Sequence, residues 1–204
     1  MKLPKIFLAS ESPRRRELLM RIGIEFELVN RIPFDESIVP QTSPDKYAEA
    51  LARMKAENAI APQGAEGIVL AFDTIVFIDN AILGKPANKA QAKEFLKRLS
   101  GRWHTVFTGV AARKIPEEKL VSSVEATKVL FSNLSDDEID AYIASGEPFD
   151  KAGAYGIQEL GALLVEKVDG CFYNVVGLPL LCLTDVLAEL NINRLIFLTP
   201  KAKT

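Results

Sequence analysis

The chain has 204 residues, 48% of them hydrophobic, a formal net charge of −2 and two cysteines. This composition can fill a core and excludes a disordered chain, and the near-neutral charge removes any general electrostatic basis for binding nucleic acid or an anionic membrane. Cys171 and Cys182 stand in apolar contexts without metal-ligand spacing, no apolar run approaches the about 20 residues of a membrane helix, and the apolar part of Met1 to Ser10 is too short for a secretory signal, so a soluble cytoplasmic protein of one domain over residues 1–204, or of two closely joined lobes, is expected.

Ile6 to Ala9 reads as a short strand that feeds a helix opened by Ser12 as N-cap and Pro13 at the first helical position. Leu18, Leu19 and Ile22 form its apolar stripe, and Gly23 ends it. The N-terminal end of that helix offers free N–H groups and a positive dipole, and Ser10, Ser12, Arg14, Arg15 and Arg16 lie around it. These groups make a candidate anion site for phosphate or pyrophosphate. Ile24 to Val29 alternates with period two and predicts a strand, followed by a loop that carries the carboxylate pair Asp35 and Glu36. Ser43-Pro44-Asp45 opens a helix through Tyr47, Leu51 and Met54 to about Ile60. Lys55 falls near the edge of its buried face and, on the residues alone, reads as a surface lysine.

Ile68 to Phe72 and Ile75 to Ile78 are two apolar strand runs, and Asp73 sits between them. A carboxylate in such a run needs a metal, a cation or hydrogen-bond donors as partner. Asp79-Asn80 is hairpin-turn chemistry that folds Ala81 to Leu83 back and brings Lys85 toward Asp73. A helix capped by Asn88 follows, with Ala92, Phe95, Leu96 and Leu99 inward and Gly101 at its end. Strands are expected at Trp103 to Ala112 and Leu120 to Phe131, joined by a charged turn. The only histidine, His104, is expected to be structural. Ser135-Asp-Asp-Glu138 is a capping box for a helix that ends at Gly146, and residues 147–158 suit a shaped binding loop. A hairpin of Ala162 to Val168 and Cys171 to Val176, a helix from Pro179 to Leu190 and an unassigned tail from Leu195 close the chain. The fold class is therefore α/β, a mixed twisted sheet flanked by helices, in two lobes with a substrate cleft.

Three segments, Leu-Ala-Ser-Glu-Ser-Pro-Arg-Arg at 8–15, Asp-Thr-Ile-Val with Gly-Lys-Pro within 73–86, and Asp-Lys-Ala-Gly-Ala-Tyr-Gly-Ile-Gln at 150–158, together resemble the Maf family of nucleoside triphosphate pyrophosphatases. Weaker matches at Leu-Ala-Arg-Met-Lys-Ala, Leu-Ser-Gly-Arg-Trp-His-Thr-Val and Val-Val-Gly-Leu-Pro extend the likeness over nearly the whole chain. The resemblance implies a Maf or inosine triphosphatase-like fold and hydrolysis of a nucleoside triphosphate to monophosphate and pyrophosphate with Mg²⁺ or Mn²⁺. Asp73 would be the catalytic carboxylate and, with Glu36, the metal ligand. Arg14, Lys55 and Lys85 would bind phosphates, beside Ser10, Ser12 and Arg15. Glu36 is favoured over Asp35 by its spacing to Pro40 and Lys55. One departure is Phe72, where the family carries a small residue.

Members of the family that prefer dTTP and UTP resemble this chain in having Arg14, Thr74 and Gln158 at the corresponding places. A glutamine amide offers the donor and acceptor that a uracil or thymine edge requires. The branch acting on 7-methyl-GTP, which differs at all three positions, is the second reading. A third is a nucleotide sensor without useful turnover, linked to cell division. The resemblance also suggests a homodimer and a role in cleaning the nucleotide pool, with no nucleic-acid or membrane partner.

Overall fold

The computed structural model describes residues 3–198. In chain order it contains β1 (Ile6–Leu8), α1 (Pro13–Arg21), β2 (Glu27–Leu28), α2 (Pro44–Glu57), β3 (Gly67–Ile78), β4 (Ala81–Leu83), α3 (Lys89–Leu99), β5 (Trp103–Ile115), β6 (Lys119–Phe131), α4 (Asp136–Ala144), β7 (Val165–Asp169), α5 (Phe172–Val176), α6 (Leu180–Ala188) and α7 (Leu195–Leu198). The strands make one seven-stranded sheet in the order β2-β1-β3-β5-β6-β7, with β4 also paired to β3. β1 runs parallel to β2 and β3, and the other pairings are antiparallel. The class is the expected one, a mixed α/β sheet flanked by helices.

β3 organises the sheet. Ile68, Leu70, Phe72, Val76 and Ile78 belong to a large core cluster that includes residues of α1, α3, α4 and α6, whereas Val69, Ala71 and Ile75 pack on the other face with α2. Apolar residues follow one another without alternation because both faces are covered. Asp79 and Asn80 take left-handed φ values of 51° and 55°, the backbone of a two-residue hairpin turn whose twist suits the flanking strands, and β4 folds back antiparallel.

The edges of β3 differ. On one side it pairs with β5 from Gly67 to Phe77. On the other, β1 meets Ile68 to Leu70 and β4 meets Val76 to Ile78, so residues 71–75 have no strand beside them. That gap is the floor of a cleft, and Asp73 lies within it.

The helices follow their local signals. Asn88 accepts a hydrogen bond from the Gln91 amide at the start of α3, and Ser135 and Glu138 form the reciprocal capping box of α4. Ser12 and Ser43 stand at N-cap positions without a side-chain cap bond.

Several boundaries depart from the sequence expectation. The strand expected over Ile24 to Val29 shrinks to Glu27–Leu28, because it is the outermost strand and only β1 pairs with it. α2 stops at Glu57, short of Ile60. Ala162 to Leu164, the start of the expected strand, belong to a 3-10 turn, Leu160–Leu164, that leads into β7. Cys171 to Val176 is not the return strand of a hairpin: Phe172–Val176 is a helix ended by Gly177 at φ 105°. The Asn174 side chain decides this, since its amide donates to the Val106 carbonyl and to Thr127 Oγ1, drawing the segment over the sheet face instead of along the free edge of β7. The described part of the tail, Leu195–Leu198, is a short helix, and the rest of that unassigned stretch lies outside the described residues.

Candidate active site

The cleft has a volume of about 770 Å³ and is reached by residues of the loop after β1, α1, β3, α2, the loop after β4 and the 150–158 segment. Successive residues of a strand point to opposite faces. Asp73 therefore faces α2, and Thr74 faces the other way.

On the α2 face, the Lys55 ammonium donates to the Asp73 carboxylate and lies 3.0 Å from Glu36 Oε1. Lys55 and Asp73 side chains are only 14% and 13% exposed, so this cation is not the surface lysine that the residues alone indicate. The position follows from how α2 packs. Ala48, Ala52 and Ala56 are fully buried on the sheet, and Gly109, opposite Asp73 on β5, gives α2 room to lie close. Of the two loop carboxylates, Asp35 accepts from the Ser37 amide at 2.9 Å and caps its own 3-10 turn, and hydrogen bonds from the Ser37 side chain and then its backbone hold the Asp35 pKa below the ordinary value. Glu36 is the one brought to Lys55.

On the other face, Arg15 is fixed by four acceptors. Its Nε donates to the Gly177 carbonyl at 2.8 Å, one terminal nitrogen donates to Ser10 Oγ and the Phe72 carbonyl, and the other donates to Thr74 Oγ1 at 2.9 Å. The Phe72 carbonyl belongs to the unpaired edge of β3, so the guanidinium replaces a missing strand there. The Phe72 ring is buried, points away from Asp73 and lies 5.6 Å from the guanidinium. Burial draws the Arg15 pKa down to about 10, against the opposing pull of Asp73, and leaves it charged at neutral pH.

Arg14 pairs with Asp150 at 3.0 Å, which ties α1 to the loop that carries Gln158. Ser10 also accepts from the Ser12 amide. Lys85 and Gln158 are exposed on the cleft lining, with no ion pair to Lys85 among the described residues. Ser10, Ser12, Arg14, Arg15, Glu36, Lys55, Asp73, Thr74, Lys85 and Gln158 thus line one cleft, with Thr74 and Arg15 on the face opposite Lys55 and Glu36, whereas Arg16, which donates to the Glu11 carbonyl, and Asp35 do not line it.

Two cleft cations were not singled out. Lys151 is 7% exposed, and its ammonium donates to the Glu147 carbonyl and to Asp150 at 2.7 Å. A Cβ at Gly156 would meet the Lys151 stem at 2.5 Å, so the glycine in that loop makes room for the lysine. Arg31 borders the cleft beside Glu36. Only their neighbourhood to the motifs could have signalled either. His104 is structural as expected: it is buried, contacts Tyr155 Oη through Nε2 at 2.8 Å, and burial lowers its pKa to about 4.

Among the described residues no group of three or more His, Cys, Asp or Glu side chains is arranged to hold a metal ion. Two hard carboxylates, Asp73 and Glu36, converge on one point that Lys55 occupies. That donor set fits a cation such as Mg²⁺, which binds through one or two carboxylates and completes its shell with phosphate oxygens and water. Without phosphate, water would have to fill the remaining positions, so the protein alone would hold the ion weakly.

The sequence profile of the Maf-like proteins matches residues 5–190. Proteins called dTTP/UTP pyrophosphatase are similar to this chain: one from Caldicellulosiruptor bescii is 46% identical, over 93% of this chain and 96% of its own. One from Carboxydothermus hydrogenoformans is 49% identical over 91% and 98%, and one from Bacillus anthracis 48% over 93% and 97%. Among solved structures, a HAM1 protein from Coxiella burnetii aligns with 92% of this chain and 100% of its own at 18% identity and a TM-score of 0.47.

Proposed function

This chain belongs to the family of Maf-like proteins, and we propose that it is a pyrophosphatase that hydrolyses dTTP and UTP to the nucleoside monophosphate and pyrophosphate. The reading is supported by relatives 46–49% identical over most of the chain that carry that name. The observation that carries it is Asp73 in the gap of the sheet, bonded to Lys55 and opposed by Glu36.

Hydrolysis of a triphosphate needs neutralised charge and a positioned water more than covalent chemistry. Asp73 orients the water and accepts its proton as it attacks the α phosphorus. Lys55, released from the two carboxylates when phosphate arrives, moves its charge onto the triphosphate. Arg15, held by four acceptors, binds the triphosphate through a fixed positive charge, and Arg14 and Lys85 add cations at the rim. Asp73 and Glu36 would hold a divalent Mg²⁺ or Mn²⁺ together with phosphate oxygens, which adds charge neutralisation on the leaving pyrophosphate. Gln158 and Thr74 accompany the pyrimidine preference, and the activity belongs to control of the cytoplasmic nucleotide pool.

Incubation with dTTP, UTP, CTP, GTP and 7-methyl-GTP, with Mg²⁺, with Mn²⁺ and with chelator, tests this reading through product analysis. Monophosphate and pyrophosphate from dTTP and UTP, absent with chelator, are expected. Diphosphate and orthophosphate, or turnover of the methylated guanine nucleotide alone, would contradict it. Tight binding without turnover would identify a sensor.

A further inference from the structure

A line of two hydroxyls, that of half-buried Thr74 at the cleft and that of buried Thr108 behind it, leads from Arg15 away from the cleft. Arg15 donates to Thr74 Oγ1 at 2.9 Å, Thr74 Oγ1 lies 2.9 Å from Thr108 Oγ1, and Thr108 Oγ1 donates to the Asn174 carbonyl at 3.1 Å. A carbonyl only accepts, so the single proton of Thr108 is committed to Asn174. The proton between the two threonines is therefore that of Thr74. Every bond in the line points one way, from the guanidinium through Thr74 and Thr108 to Asn174.

The line closes on itself. Three residues after Asn174, the Gly177 carbonyl accepts from Arg15 Nε at 2.8 Å. Asn174 is fixed by its own side-chain bonds to β5 and β6, at Val106 and Thr127. Thr108 and Asn174 are fully buried, and Thr108 does not line the cleft. Of the five N–H groups of Arg15, four are used, one from Nε, two to Ser10 and Phe72 and one to Thr74, which leaves one to meet a ligand.

We propose that Thr108 is a positioning residue for nucleotide binding: by taking the Thr74 proton and giving its own to Asn174, it holds Arg15 at the orientation in which its remaining N–H and its charge face the triphosphate. The inference rests on the proposed pyrophosphatase function. Asp73, Lys55 and Glu36 stand on the opposite face of β3, so loss of the line acts on nucleotide affinity more than on the chemical step. Hydrogen bonds in series polarise one another, so removing one hydroxyl weakens its neighbours as well.

Thr108→Val keeps the shape and removes the hydroxyl, and Thr108→Ser keeps the hydroxyl and removes a methyl. We expect Thr108→Val to raise KM for dTTP about tenfold, equal to about 1.4 kcal/mol of binding, with kcat within about twofold of wild type, and Thr108→Ser to restore KM. The Kd of α,β-methylene-dTTP, which needs no turnover, should rise by the same factor. If Thr108→Val does not fold, Thr108→Cys, with its weak donor, takes its place and must show the same rise. An unchanged KM and Kd, or equal rises in the valine and serine variants, would overturn the proposal. Wild type that binds the analogue but releases no pyrophosphate removes the pyrophosphatase reading and leaves the Kd comparison decisive for Thr108. Wild type that does not bind the analogue overturns both.

Discussion

Gly109 on β5 lies directly under Ala48 on α2, so close that a Cβ there would run into the Ala48 carbonyl oxygen, with Glu49 Cα only 2.8 Å away. Gly109 is also the residue opposite Asp73 in the β3–β5 ladder. One close approach therefore sets the height of α2 above Asp73, and two turns further along α2 comes Lys55. Backbone atoms cannot step aside, so Gly109→Ala must lift the helix. The variant is expected to lose about 2 kcal/mol of stability in denaturant unfolding and to lose most of its turnover, because Lys55 no longer reaches Asp73. Normal stability and turnover would show that the helix has slack.

Lys55 and a divalent cation compete for the same two carboxylates, Asp73 and Glu36. Lys55→Met removes the competitor. Mn²⁺ binding without nucleotide, followed by calorimetry, is expected to tighten about tenfold in the variant, while pyrophosphate release falls by about 100-fold. Unchanged Mn²⁺ affinity would mean that these carboxylates are not the cation position.

His104 gives the fold a pH dependence of known sign. Burial lowers its pKa from 6.5 to about 4, so the folded chain holds it neutral. The stabilisation is complete above pH 6.5 and is lost as pH falls toward 4, where the unfolded chain takes up a proton that the folded chain refuses. The shift corresponds to about 3 kcal/mol. His104→Phe should remove this loss, so that the difference in unfolding free energy between variant and wild type changes steadily in the variant's favour as pH falls from 6.5 to 4; a difference that does not change with pH would contradict the buried neutral imidazole.

The sequence was most legible where one residue breaks a pattern. Asp73 stood out as a charge in an apolar run, Asp79-Asn80 as a turn, and Ser135 with Glu138 as a cap, because each signal is local. What makes Asp73 usable is not local: β1 ends opposite Leu70 and β4 covers only Val76 to Ile78, and the gap between them exists only once three strands pair. Lys55 looked like surface because its partner lies 18 residues away on another element. Phe172 to Val176 was misread as strand for a related reason. Five mostly apolar residues suit either form, and the buried bonds of Asn174 to Val106 and Thr127 select the helix. Thr108 looked like one more strand residue, and only the direction of its hydrogen bond distinguishes it.

The central claim is that Asp73 in the β3 gap performs the hydrolysis of a pyrimidine nucleoside triphosphate. The measurement that tests it most directly is pyrophosphate release from dTTP by wild type and by Asp73→Asn, with nucleotide binding measured alongside. Release by the wild type, at least about 100-fold lower in Asp73→Asn with binding retained, is the predicted result. Equal release by the two proteins would contradict it.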